Sequence, residues 1–434
     1  MKTQAGSLLS LLIFINFFLF ISCNKKKEVF DPPHITWNSP LEGSSLNSTD
    51  TVLLTASIRD NDIITLIRIR LKNDQGVPVL QAEDIRPNKA SYEVRIEFPL
   101  IDPELNGSFY FEMEAYDENN FSAAFRHVQI SALPLRVDHF LIFSNDGQAT
   151  DVFTLEDKVI KSLSRFNGDF LSSAVDVSRS QAYIATRFSG QIYCFEPVQG
   201  DLLWKELNPG VPGIPVYNHM SCDNSDVLFS MQSGELRSLD HAGNNLYQSK
   251  EAEGFYPSYV KIHDGKAVIY EEIDRSSGDV KLRTESYPSG DDKGSVVFPY
   301  GRVAGMFSLD WDKVLVFANR DSVQFILTYN TFEQYLTLID QDDRGLFGAM
   351  EKIDDNRIAM KRGNDLVQYY ISQHLFTTLV SNYEPENIRY NRAELLLYCS
   401  AGNEIRAIDP ESGQVMNTMY LASKVSSMEL LYNY

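Results

Sequence analysis

Residues 191–204 read "QIYCFEPVQGDLLW" and residues 404–417 read "EIRAIDPESGQVMN". In both, an alternating run ends in an acid (Glu196, Asp409), a glycine follows four places later (Gly200, Gly413), and a second run begins. A third copy, "ELRSLDHAGNNLYQ" at 235–248, carries Asp240 and Gly243 one residue closer together. Period-two alternation is the signature of a strand with one wet face. An acid followed by glycine supplies the side-chain hydrogen bond and the positive φ of a tight turn. The chain is therefore built from a recurring strand–turn–strand unit. Equivalent strand ends fall at Glu156, Glu196, Asp240, Tyr287, Asn330, Ser372 and Asp409, with gaps of 37 to 47 residues. The units at Tyr287, Asn330 and Ser372 are placed by spacing more than by likeness.

A period of roughly 40–45 residues with four strands per unit defines the blade of a β-propeller. The four runs are legible in "SSAVDVS", "AYIATRF", "GQIYCFEP", "DLLWKEL" and again in "NIRYNRA", "ELLLYCSAG", "EIRAIDPE", "QVMNTMY". The ends do not match whole units. "VDHFLIFSNDGQATDVFTLEDKVIKSL" supplies three strands and the terminal "KVSSMELLYNY" supplies one. Together they make a further sheet. Joining the termini in one blade hides the strand edges that an open ring would expose. The spacing thus predicts a seven-bladed propeller over residues 137–434, closed by the C-terminal strand.

"FEPVQGDLLW" and "AIDPESGQV" resemble the repeat of pyrroloquinoline-quinone-type propellers. In that family a tryptophan late in the repeat docks between neighbouring blades. Trp204 stands at that place, whereas Asn417 and Gln248 occupy it in two other units. Quinone enzymes of the family have eight blades, a bound calcium and often vicinal cysteines. None of these is visible, so no cofactor is expected. Non-enzymatic members, including envelope lipoproteins that serve as assembly scaffolds, are the nearer comparison.

Residues 33–133 contain about seven extended runs, among them "TVLLTASIRD", "ITLIRIRLKN" and "GSFYFEMEAYD". Seven short alternating strands in about 100 residues point to a β-sandwich. "TVLLTASIRDND" and "FEMEAYDENNFSAAFRHVQI" resemble bacterial immunoglobulin-like, cadherin-like modules. The resemblance implies a spacer. Asp60, Asp62 and Asp117 are candidates to gather a calcium ion, but Asp in such turns ordinarily serves its own backbone, and no metal site is expected. The fold class is therefore all-β: an immunoglobulin-like β-sandwich followed by a seven-bladed propeller.

Ahead of the sandwich, Leu8 to Ile21 is apolar apart from Ser10 and Asn16. These fourteen residues fall short of the about 20 a membrane-spanning helix needs and suit a signal-peptide core. Phe20-Ile21-Ser22-Cys23 resembles a bacterial lipobox, which implies cleavage after residue 22 and acylation of Cys23. Residues 23–32, with Lys25, Lys26 and Lys27, then form a tether, read either as a contact to anionic head groups or as a solvated linker. Asn24 is not the Asp that resembles an inner-membrane retention signal. An outer-membrane lipoprotein is the expectation, on the periplasmic or the cell-surface face.

Removing residues 1–22 takes away Lys2 alone and shifts the net charge from −20 to −21. That balance excludes nucleic acid as a partner. Cys194, Cys222 and Cys399 have no metal-ligand spacing and are read as buried free thiols, with a Cys194–Cys222 bridge as the alternative. No HExxH, Gly-x-Ser-x-Gly or phosphate-loop motif occurs. His219 lies on an inner strand, either facing the central channel or, as is commoner, satisfied within the fold. Acids cluster at Asp291-Asp292, Asp340-Gln341-Asp342-Asp343 and Asp354-Asp355, each within a turn. Tyr217, Tyr256, Tyr259 and Tyr300 are read as exposed aromatics near blade entrances, able to stack on a sugar or peptide, with core packing the commoner fate. No catalytic residue is assigned. The expected function is a membrane-anchored scaffold whose propeller binds a protein or glycan. The alternative is a polysaccharide-acting enzyme with channel-facing carboxylates.

Overall fold

The computed structural model describes residues 31–102, 104–156, 159–223, 226–250 and 252–433. The signal segment 1–22, Cys23 and Lys25–Lys27 lie outside the described residues. The chain divides into two compact units, one ending at Pro134 and the other beginning at Leu135. The described residues hold no helix long and apolar enough to cross a membrane.

Among the described residues the first unit has eight strands: β1 (His34–Ser39), β2 (Ser44–Asn47), β3 (Thr51–Ile64), β4 (Leu66–Asn73), β5 (Glu83–Ile85), β6 (Lys89–Pro99), β7 (Gly107–Tyr116) and β8 (Phe121–Ser131). They form a three-stranded sheet, β1-β3-β6, and a five-stranded sheet, β2-β8-β7-β4-β5. Alternation sets the inner faces. Leu54, Ala56 and Ile58 of β3 meet Ile67, Ile69 and Leu71 of β4 and Phe111 and Met113 of β7 in one apolar core. Two elements differ from the sequence reading. Ser44–Asn47 pairs parallel with β8, and its run SSLN carries too little apolar pattern to reveal a strand. Residues 77–85, "VPVLQAEDI", which the sequence reading counts among the seven extended runs, contribute only Glu83–Ile85, an edge segment.

The second unit holds seven four-stranded antiparallel sheets among the described residues. One is composite: β9 (Val137–Asn145), β10 (Ala149–Glu156) and β11 (Val159–Asn167) are joined by β36 (Ser427–Tyr432). Ser427 pairs with Phe143 and Tyr432 with Val137. The other six are sequential: β12 (Ser172–Asp176), β13 (Gln181–Ala185), β14 (Gln191–Phe195), β15 (Leu202–Leu207); β16 (Tyr217–Asp223), β17 (Asp226–Met231), β18 (Leu236–Leu239), β19 (Asn245–Gln248); β20 (Phe255–His263), β21 (Ala267–Asp274), β22 (Val280–Ser286), β23 (Asp292–Val297); β24 (Arg302–Asp310), β25 (Lys313–Arg320), β26 (Val323–Asn330), β27 (Tyr335–Asp342); β28 (Phe347–Lys352), β29 (Arg357–Arg362), β30 (Asp365–Tyr370), β31 (Leu375–Val380); and β32 (Asn387–Asn391), β33 (Leu396–Ala401), β34 (Glu404–Ile408), β35 (Val415–Tyr420).

The first strands touch in cyclic order, β12 to β16, β20, β24, β28, β32, β36 and back to β12. Seven apolar clusters lie between consecutive sheets. One of them, with Phe140, Met428, Tyr398 and Ile405, joins the last sheet to the composite one. Second strands such as β17 and β25 are buried over most of their length. Sheets cover both of their faces, so they read as continuous apolar runs rather than alternating ones. Stacked sheets closed in a circle are the architecture of a β-propeller.

The glycine turns that follow the third strands are where neighbouring sheets dock. Trp204 on β15 donates its indole N–H to the His241 carbonyl at 2.9 Å. A Cβ built on Gly243 would come within 3.0 Å of the Trp204 ring. Ser164 on β11 donates to the Gly200 carbonyl at 2.7 Å, and the Tyr247 ring lies against Gly290. These glycines adopt φ between +75° and +80°, which non-glycine residues rarely hold.

Candidate functional site

Closing the circle brings polar side chains from four successive inner strands together. Glu429 on β36 is the hub. Ser173 on β12 donates to its Oε1 at 2.8 Å, and Arg389 on β32 clamps both oxygens, Nη2 to Oε1 at 2.9 Å and Nε to Oε2 at 3.1 Å. Arg389 Nη1 also stands 3.7 Å from Glu351 Oε2 on β28. Glu429 is buried, and its strand neighbours Met428 and Leu430 enter the apolar cluster. Beside the hub lies a cavity of about 240 Å³ lined by Glu351, Arg389, Tyr390, Arg392, Glu429 and Tyr432, among others.

The two carboxylates have different environments. Two-point contact with Arg389 holds Glu429 beside a cation. Glu351 lacks such a clamp. Burial pushes its pKa up to about 7, the Arg389 cation opposes the shift, and the Glu429 charge adds to it. Its side chain keeps 28% of its surface, so water still reaches it. Further round the ring, His219 on β16 stacks on Tyr259 of β20 with centroids 4.3 Å apart. Its Nδ1 accepts from the Val260 N–H at 3.4 Å. Burial, with the nearby Lys261 cation, lowers its pKa to about 4, so the ring is neutral at physiological pH.

Of the acidic clusters picked out in the sequence, Asp354 and Asp355 lie in a turn, whereas the turn reading is corrected for Asp292, which opens β23, and for Asp340 to Asp342, which end β27. Asp292 pairs with Arg283, Asp342 with Arg344 and Arg362, Asp354 with Arg357, and Asp355 with Lys352. Asp117 caps the Asn119 and Asn120 N–H groups, Asp60 accepts from the Asp62 N–H, and Asp62 from the Ile63 N–H. Cys194, Cys222 and Cys399 form no disulfide, which rules out the Cys194–Cys222 bridge. Cys222 is only half-buried, while burial pushes the Cys194 thiol up to about 12. The reading of Tyr217 as exposed is corrected. It is 1% exposed, packs in the cluster between the second and third sheets, and takes a hydrogen bond from Asn208 at 2.6 Å. Tyr256, Tyr259 and Tyr300 are partly buried against another such cluster.

Sequence reasoning missed Ser173, Glu351, Arg389 and Glu429. The usable signal was a charge inside the first run of a unit, as in "GAMEKI", "NIRYN" and "SSMELLY", where solvent-turn chemistry does not explain it.

No protein-family model matches the chain, and no curated protein matches it. Among solved structures, a functionally unknown protein from Desulfotomaculum acetoxidans is similar at TM-score 0.50 and 12% identity, covering 68% of this chain and 98% of that one. A putative 6-phosphogluconolactonase from Bacteroides fragilis is similar at TM-score 0.49 and 12% identity, with 68% and 97% covered. A quinonprotein alcohol dehydrogenase-like protein from Bacteroides thetaiotaomicron is similar at TM-score 0.46 and 11% identity, with 91% and 97% covered. Likeness at such identities concerns fold alone. The sheets and their cyclic contacts define the second unit as a β-propeller scaffold.

Proposed function

We propose that the chain is an outer-membrane lipoprotein, anchored through acylated Cys23, in which an immunoglobulin-like sandwich carries a seven-bladed propeller that binds a protein or glycan partner. The anchor rests on the apolar tract and the lipobox resemblance of residues 20–23. The observation that carries the binding reading is the polar hub of Ser173, Glu429, Arg389 and Glu351 beside a cavity of about 240 Å³. A ring of packed sheets is a rigid platform, and function on such folds resides in sites and loops grafted onto it. The site has hydrogen-bonding groups and aromatic faces suited to a sugar or a peptide side chain. The test is recovery of a partner from detergent-solubilised envelopes with the full chain as bait, alongside a glycan array. Retention that weakens in Arg389→Ala supports the reading, whereas an empty pull-down and a blank array together overturn it. Palmitate labelling that vanishes in Cys23→Ser tests the anchor.

A second reading, an enzyme acting on polysaccharide, is favoured by the unequal carboxyls. Glu351 holds its proton to near neutrality and Glu429 is clamped by Arg389. A carboxyl that keeps its proton near neutrality is suited to donate it as a general acid. Activity on envelope or plant glycans that is lost in Glu351→Gln with the fold intact would favour this reading over pure binding.

A further inference from the structure

The outward face of the five-stranded sheet in the first unit carries aromatic rings where a solvated face would carry polar side chains alone. On β8, Phe121 and Phe125 are 58% and 49% exposed. Across the ladder, Tyr116 pairs with Phe121 and Tyr110 with His127. Tyr116 and Phe121 stack nearly parallel, centroids 5.4 Å apart and planes 22° apart. Tyr110 meets Phe125 edge-on at 5.7 Å. Cross-strand pairing stabilises a sheet, yet it needs only one face or edge of each ring and leaves both Phe rings open to solvent.

Between and beside the rings stand hydrogen-bonding groups in fixed positions. Arg70 pairs with Glu112 and Glu114 at 3.2 and 3.3 Å, Lys72 with Glu112 at 2.5 Å, and Arg68 with Asp84 through two bonds of 2.7 Å. Tyr116 donates to Glu114 at 2.9 Å. With exposed Arg86 beside Asp84 and Glu42 against His127, four cations stand with four carboxylates on and around this face, which is balanced in a chain whose net charge is −20. A neutral, polar surface interrupted by rings complements an uncharged amphipathic ligand. The whole-chain field repels an acidic polymer. Pyranoses have the matching chemistry, with an apolar C–H face for the ring and hydroxyls for the carboxylates and guanidinium groups. Phe121 and Phe125 are four residues apart on one strand, about 13 Å, which one sugar cannot span.

We propose that this sheet face, centred on Phe121 and Phe125 with Tyr110 and Tyr116 behind them, binds an uncharged oligosaccharide chain by ring stacking. The site is separate from the hub in the second unit, so it stands or falls independently of the function proposed above.

The test uses the full chain in affinity electrophoresis and calorimetry against xyloglucan, mixed-linkage β-glucan and galactomannan, with polygalacturonate as the acidic control. Phe121→Ala and Phe125→Ala lose only the stacking on Tyr116 and Tyr110 and should lower the melting temperature slightly while the sheet stays folded. The expected result is retention by at least one neutral polysaccharide, weakened about tenfold by losing either ring. The proposal is overturned by no retention on any neutral polymer, by retention that survives the double Phe substitution, or by preference for polygalacturonate. A dimer that dissociates in the double variant during sedimentation also overturns it, by assigning the face to a second copy of the chain.

Discussion

Glu351 and His219 occupy inner strands, and burial drives them to opposite sides of their ordinary ranges. The sign of each effect on stability follows. The raised pKa of Glu351 means the folded state binds its proton more tightly than the unfolded chain. The stability this contributes is full below about 4.5, the unfolded value, and is lost as pH rises through about 7. Glu351→Gln imitates the protonated carboxyl at every pH. The variant should gain on wild type by on the order of 1–2 kcal/mol between pH 5 and pH 8 in chemical denaturation, a figure reduced for the water that reaches the carboxyl. A gap that stays constant over that range would show that the carboxyl is solvated like a surface acid. His219 runs the other way. Its contribution is full above about 6.5 and is lost as pH falls through about 4. Ring-proton NMR should accordingly find His219 uncharged at pH 5.5.

At the scale of the element, the turn after the third strand of a sheet has two roles. It reverses the chain, and its glycine receives a side chain from the preceding sheet. Trp204→Ala removes a partly buried indole and its bond to His241, so it should cost about 2–3 kcal/mol. Trp204→Phe keeps most of the contact and should cost about 1 kcal/mol. Gly243→Ala meets both a φ of +80° and the ring at 3.0 Å and should destabilise by more than 1 kcal/mol. Denaturant midpoints of the three variants would test the ranking. These turns were also what the sequence disclosed best. Glu196, Asp240 and Asp409 each follow a third strand, β14, β18 and β34, because acid and glycine act locally and leave a local trace. β2 left none, since SSLN is recognised only through its pairing with β8. The polar hub left little, since Ser173 and Glu429 are 256 residues apart and meet only once the circle closes. The exposed Phe rings of β8 were visible as residues, but the sequence did not give the register that sets them beside Tyr110 and Tyr116.

For the whole molecule, closure concentrates much of the second unit's stability in its last strand. β36 sends Met428 and Leu430 into the cluster shared with the preceding sheet and Leu431 into the cluster shared with the following one. Each buried side chain of this kind contributes about 1.5–3 kcal/mol, so the three together supply about 5–9 kcal/mol. That is comparable with the entire ~5–15 kcal/mol stability of a domain. Removing the strand also bares the edge of β9 and takes Glu429 from Arg389. A break of that kind between buried partners costs about 3–5 kcal/mol by itself. A chain ending at Val425 should therefore lose the cooperative calorimetric transition of the second unit. The first unit, whose two sheets share their own core, should still melt. A synthetic peptide spanning residues 426–434 should restore the lost transition in trans, because it returns both apolar clusters and the carboxylate at once. The same peptide with Glu429→Gln should restore it less well, by an amount that measures the hub. If the truncated chain melts like the intact one without any peptide, the seven sheets are held by their local contacts and closure adds nothing.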